Sequence, residues 1–71
     1  MTSDQREKIK REIKKILSDK ITKTPLDLVN KVRESNSFPI GIPAQYVIQV
    51  MWQLHNRGEL SIHTKHGIIL L

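Results

Sequence analysis

Gln45, Gln49 and Gln53 stand four residues apart, and Asn56 follows three residues later. At about 100° per residue, that spacing puts all four carboxamides on one side of a helix, opposite Val47, Met51 and Leu54. A carboxamide carries a donor and an acceptor side by side, so Gln or Asn can pair in a bidentate manner with N6 and N7 of adenine. The major groove that exposes those atoms is wide enough to admit a helix. Tyr46 lies near Gln53 on the same side. The same amides would also suit a helix face that meets only water. On a shoulder roughly 80° to 140° from the core centre come Ile48, Trp52 and His55, with Ile40 and Ile42 just upstream. This shoulder either packs beneath a neighbouring element or forms an apolar partner surface with tryptophan as its anchor.

Other chemistry finds little support. His55, His63 and His66 invite a metal reading, but the chain has no cysteine, and Glu59 is the one nearby carboxylate. No standard zinc spacing results. Gly41, Gly58 and Gly67 are isolated, so no phosphate-cradling loop exists, and no serine sits in a recognisable arrangement with a histidine and a carboxylate. Neither catalysis nor a cofactor is expected.

The chain has 71 residues, enough for a single domain over 1–71. A domain of that size hides only about 60% of the surface its unfolded form exposes, leaving little room for a closed substrate pocket. Ten residues are isoleucine, against one each of Phe, Trp and Tyr, so the core is aliphatic and no disulfide can brace it. Twelve Lys and Arg against seven Asp and Glu give a net charge of +5 and a pI near 9.9, which favours polyanionic partners, nucleic acid before membrane. Eight of the cations fall within residues 1–24. With no apolar run near the ~18 residues of a membrane span, and no secretory signal pattern, a cytoplasmic protein is expected, nucleoid-associated if prokaryotic.

The elements that would position these side chains follow from periodicity and punctuation. Ile9, Ile13, Ile16 and Leu17 recur at helical spacing within 4–18, with Thr2, Ser3 or Asp4 as cap. Ile21-Thr22-Lys23 suits one short strand. Thr24 and Pro25 suit the N-cap and first position of a second helix that buries Leu28, Val29 and Val32 and stops near Ser35. A third helix runs from Pro43 to Arg57 and ends at Gly58. Leu60 and Ile62 alternate with polar residues, then Ile68 to Leu71 resume as a strand, which makes a C-terminal β-hairpin.

This order, with Val47-x3-Met51-x2-Leu54-x3-Gly58-x-Leu60 running straight into a hairpin, resembles the winged helix-turn-helix superfamily over essentially the whole chain. The resemblance implies an α+β winged helix of order α-β-α-α-β-β, with a three-helix core and a hairpin wing. It also implies a small DNA-binding protein, a transcriptional regulator by expectation, that reads double-stranded DNA through Gln45, Tyr46, Gln49 and Gln53 of the helix over 43–57. In that geometry Lys23, Thr24, Lys31, Arg33 and Arg57 approach phosphates, and the hairpin over 60–71 brings Lys65 to the backbone. The loop from Asn36 to Ile42 is longer than the turn of the simple motif, and Ile42 precedes helix three where many DNA-binding relatives carry Ser or Thr. Since some winged helices serve only as docking modules, Trp52, Ile48, Ile42 and Ile40 form the alternative site, for a protein partner in a larger assembly. A monomer or weak homodimer is expected in either case.

Overall fold

Thr2 opens the first helix, α1 (Ser3–Leu17), with a reciprocal cap: the Gln5 N–H donates to Thr2 Oγ1 at 3.1 Å and the Thr2 N–H donates to Gln5 Oε1 at 3.0 Å. Ile9, Ile13 and Leu17 form its buried stripe. A second helix, α2 (Pro25–Arg33), is capped by Thr24, whose hydroxyl accepts from the Asp27 N–H at 3.2 Å, and it buries Leu28, Val29 and Val32. A third, α3 (Ala44–Asn56), starts after Pro43 and buries Val47, Val50, Met51 and Leu54. Strands β1 (Leu60–His63) and β2 (Gly67–Leu70) pair antiparallel, with Ile62 opposite Ile68. The computed structural model describes residues 1–63 and 67–71.

The observed order is thus α-α-α-β-β, a topology consistent with a winged-helix-like arrangement. The expected strand over Ile21 to Lys23 is not formed. What remains is a one-residue bridge: the Ile68 N–H donates to the Lys23 carbonyl at 2.8 Å, and the Lys23 N–H donates back at 3.4 Å. Local commitments on both sides explain the shortfall. The Ile21 N–H is taken by Asp19 Oδ1 at 2.9 Å, and Thr24 already caps α2. Of the three residues, Lys23 is the one that bridges to β2.

Arg57, Gly58 and Glu59 carry the chain from α3 into β1. The Gly58 N–H donates to the His55 carbonyl at 3.0 Å and the Glu59 N–H donates to the Leu54 carbonyl at 2.9 Å, with Gly58 at φ +78°. Those paired bonds make a Schellman close, which directs Leu60 back into the core. The long α2–α3 connection is also held down. Phe38 and Ile42 are buried, Arg33 Nε donates to the Ile42 carbonyl at 3.0 Å, and Ser37 Oγ donates to Glu12 Oε1 at 2.6 Å. One mostly aliphatic core, with Phe38 at its edge, therefore joins all three helices, the connection and the hairpin.

A charge pair fixes the α1–α2 turn. Lys23 is buried to 8% exposure, and its ammonium donates to both Asp19 oxygens, at 2.7 and 2.8 Å, and to the Ile21 carbonyl at 3.1 Å. The Lys23 hydrogen bond, with help from the Ile21 N–H, holds the Asp19 carboxyl below its ordinary range. A carboxyl whose folded pKa is depressed adds stability that is complete above its unfolded value of about 4 and disappears as pH falls through the folded value. Stability is therefore expected to fall on acidification below about pH 4, and by less in Asp19→Asn, which is already weaker at neutral pH. Urea denaturation of both proteins at neutral and acidic pH checks this. An identical acid loss in the variant would remove Asp19 from the explanation.

Candidate functional site

The outer side of α3 is set by what its inner side buries. With Val47, Val50, Met51 and Leu54 committed to the core, Gln45, Gln49, Gln53 and Asn56 are all exposed. No hydrogen bond to another described residue occupies their side chains. From Ala44 to Asn56 the helix contains no Lys, Arg, Asp or Glu. The face is therefore polar and uncharged, and its donor–acceptor pairs are open to solvent. Tyr46 differs from its neighbours, because it is half-buried and packs on the edge of the core.

Trp52 and Ile48, one turn apart, are 49% and 41% exposed. Neither is absorbed beneath α2 or the hairpin, so the wide apolar arc of α3 remains partly open. The indole meets the His55 ring in a T-shaped contact, 5.5 Å between centroids and 82° between planes. His55 is in turn tied to the start of β1, its Nδ1 lying 3.2 Å from the Leu60 carbonyl. Ile40 is fully exposed at the tip of the connection. Ile42 is not part of that surface: it is 6% exposed, drawn into the core as Arg33 clamps its carbonyl. Its assignment to an exposed docking patch is therefore corrected.

The cations divide into free and engaged. Lys31 and Arg57 are exposed, and Arg57 sits at the C-cap of α3. Arg33 is exposed while using Nε on the connection, and Thr24 is exposed while its oxygen caps α2. Lys23 is placed differently, because burial and the Asp19 pair occupy its ammonium. Lys65 lies outside the described residues. On the opposite flank Lys14 pairs with Glu59, joining α1 to the root of the hairpin and lowering the Glu59 carboxyl pKa.

Two contacts had different standing in the sequence. Asp19 and Lys23 have the i,i+4 spacing of a helical pair, a visible signal, although they meet across a turn. Nothing local linked Glu12 to Ser37, 25 positions apart. Among the described residues no group of three or more His, Cys, Asp or Glu side chains is placed to hold a metal ion. An open groove of about 370 Å³ between α1 and the end of α2 is lined by Glu12, Lys15, Ile16 and Lys31, but its charges are mixed and Glu12 already accepts from Ser37. Among the described residues no helix is long and apolar enough to cross a membrane. No family model, curated protein or solved structure matches the chain.

Proposed function

We propose that the chain is a winged-helix DNA-binding protein, a transcriptional regulator, that lays the outer face of α3 in the major groove. The observation that carries this reading is the outward set Gln45, Gln49 and Gln53 on a helix without charged residues, each amide open and unengaged by the described fold. Amides of this kind read base edges, whereas cations mainly hold phosphates. Thr24, Lys31, Arg33 and Arg57 are the described residues offered to the backbone, with Lys65 as a further candidate from the sequence. A chain net charge of +5 supplies the attraction that brings the two polymers together.

The test is a titration of the protein with duplex DNA at several salt concentrations. Each neutralised phosphate contributes a slope of about −0.9 in log affinity against log salt, so Arg57→Ala is expected to reduce the slope by about one. Gln49→Ala is expected to keep the slope and narrow the gap between preferred and unrelated sequences by about 1–3 kcal/mol. Affinity that does not change with salt would reject phosphate-guided binding.

A second reading is favoured by one observation: Trp52, Ile48 and Ile40 are open apolar side chains, and tryptophan is enriched at protein–protein hot spots. In that reading the chain is a protein-docking winged helix of a larger assembly. Ala replacement of Trp52 would then abolish partner capture while leaving salt-dependent DNA affinity untouched.

A further inference from the structure

We propose that α3 selects A·T base pairs, with Gln45 and Gln49 on adenine edges and Ile48 and Trp52 against thymine methyl groups. This rests on the DNA-binding reading above and extends it to the class of sequence bound. The residues available on the open side of the helix limit what it can read. Guanine is most often read by Arg or Lys on O6 and N7, and cytosine by a carboxylate accepting from N4. Neither residue type occurs between Ala44 and Asn56. Adenine presents N7 and the N6 amino group, which a carboxamide matches with both of its atoms, and thymine adds the only apolar group on the major-groove edge.

The arrangement of the side chains matches that edge. Counted from Val47 at about 100° per residue, Ile48 falls near 100°, Trp52 near 140°, Gln45 near 160° and Gln49 near 200°. Apolar and amide groups therefore share one continuous strip of surface. An A·T pair offers the same pairing, a methyl group beside an amide-complementary edge. The half-exposure of Trp52 and Ile48 then has a reason that does not require a protein partner. Trp52 is also oriented in advance, because it stands in T-shaped contact with His55, which is itself anchored at Leu60. A side chain ordered before binding loses less freedom on binding.

Three short duplexes separate the outcomes: alternating d(A·T), alternating d(G·C), and the first with uracil in place of thymine. Uracil removes the methyl group from the major groove and leaves the adenine edge and the minor-groove edge unchanged, so it isolates the contact assigned to Ile48 and Trp52. The d(A·T) duplex is expected to bind roughly tenfold or more tightly than d(G·C). The uracil duplex should lose about threefold to fourfold for each methyl group contacted. In Ile48→Ala and Trp52→Ala, which replace half-open side chains, that thymine-to-uracil loss should shrink, whereas Arg57→Ala should weaken all three duplexes alike.

Equal binding of d(A·T) and d(G·C) overturns the A·T proposal and leaves DNA binding standing. A d(A·T) preference that ignores uracil substitution also overturns it, because Ile48 and Trp52 then touch no thymine methyl group. If Trp52→Ala and Ile48→Ala leave the thymine effect unchanged, the proposal fails and those side chains return to the docking reading. Absence of binding to any duplex at low salt rejects the underlying DNA-binding reading together with this one.

Discussion

Ile13→Ala is expected to be among the most damaging single substitutions in the chain, costing about 2–5 kcal/mol. Ile13 is 0% exposed at the centre of the α1 stripe, and α1 packs on α2, α3 and β2. Truncation removes three side-chain carbons and leaves a cavity that several elements would have to close together. A chain of 71 residues has little reserve. At roughly 0.05–0.15 kcal/mol per residue, the whole fold is worth about 4–10 kcal/mol, so the variant loses a large part of it. Thermal unfolding followed by circular dichroism should show a midpoint lower by about 10 °C or more. Ile21→Ala is the control: Ile21 is 64% exposed, and its replacement should stay within about 0.5 kcal/mol. Similar losses from the two would contradict a single core organised on α1.

Gly67→Ala is the second large effect, and Gly58→Ala shows why. Both glycines have left-handed backbones, φ +84° at Gly67 and +78° at Gly58. That conformation alone costs an alanine about 1–2 kcal/mol. At Gly58 an added Cβ meets nothing within 4 Å, so the backbone term is the whole cost. At Gly67 it would lie 2.7 Å from the Lys23 carbonyl oxygen, the acceptor of the Ile68 N–H. Backbone cannot swing aside as a flexible side chain can. Displacing it adds about 1–3 kcal/mol, giving a total near 2–5 kcal/mol. Hydrogen exchange at the Ile68 amide separates the cases: protection should drop sharply in Gly67→Ala relative to global stability and survive in Gly58→Ala. Equal behaviour of the two variants would mean that the Lys23 bridge does not constrain the hairpin.

That bridge also marks where the sequence stopped being readable. Helices punctuated by strong local signals were legible nearly to the residue: Thr24-Pro25 begins α2 and Gly58 follows α3. These signals act through backbone groups within a few positions, so no tertiary knowledge is needed. Ile21-Thr22-Lys23 has the β-branched composition of a strand, but strand length depends on a partner and on which donors are already taken. Asp19 had taken the Ile21 N–H, and Thr24 was already committed to capping α2. The connection between α2 and α3 failed in the same way, for Ile40 and Ile42 look equivalent in sequence yet one is fully exposed and the other buried. Their fates depend on Arg33 reaching across nine positions.

The candidate site divides along the same line. The carboxamide face was visible because helical periodicity and the position of Val47, Met51 and Leu54 determine what faces outward. Tyr46, on the margin of that face, was not resolvable by angle alone, since a small rotation decides whether it meets core or solvent. For Lys23 the sequence offered a cation beside a helix start, the usual place for a phosphate contact, and could not show that Asp19 would claim its ammonium. Exposure of Trp52 was equally open, because the arc from Ile48 to His55 is compatible with packing under a neighbour.

An amide chemical-shift titration of the labelled protein with a short A·T-rich duplex tests groove reading by α3 most directly. The side-chain amide resonances of Gln45, Gln49 and Gln53 and the indole N–H of Trp52 should move together at substoichiometric DNA, while those of buried positions such as Val47 and Leu54 move least. Shifts confined to the lysine-rich face of α1, with the three glutamines unmoved, would contradict it.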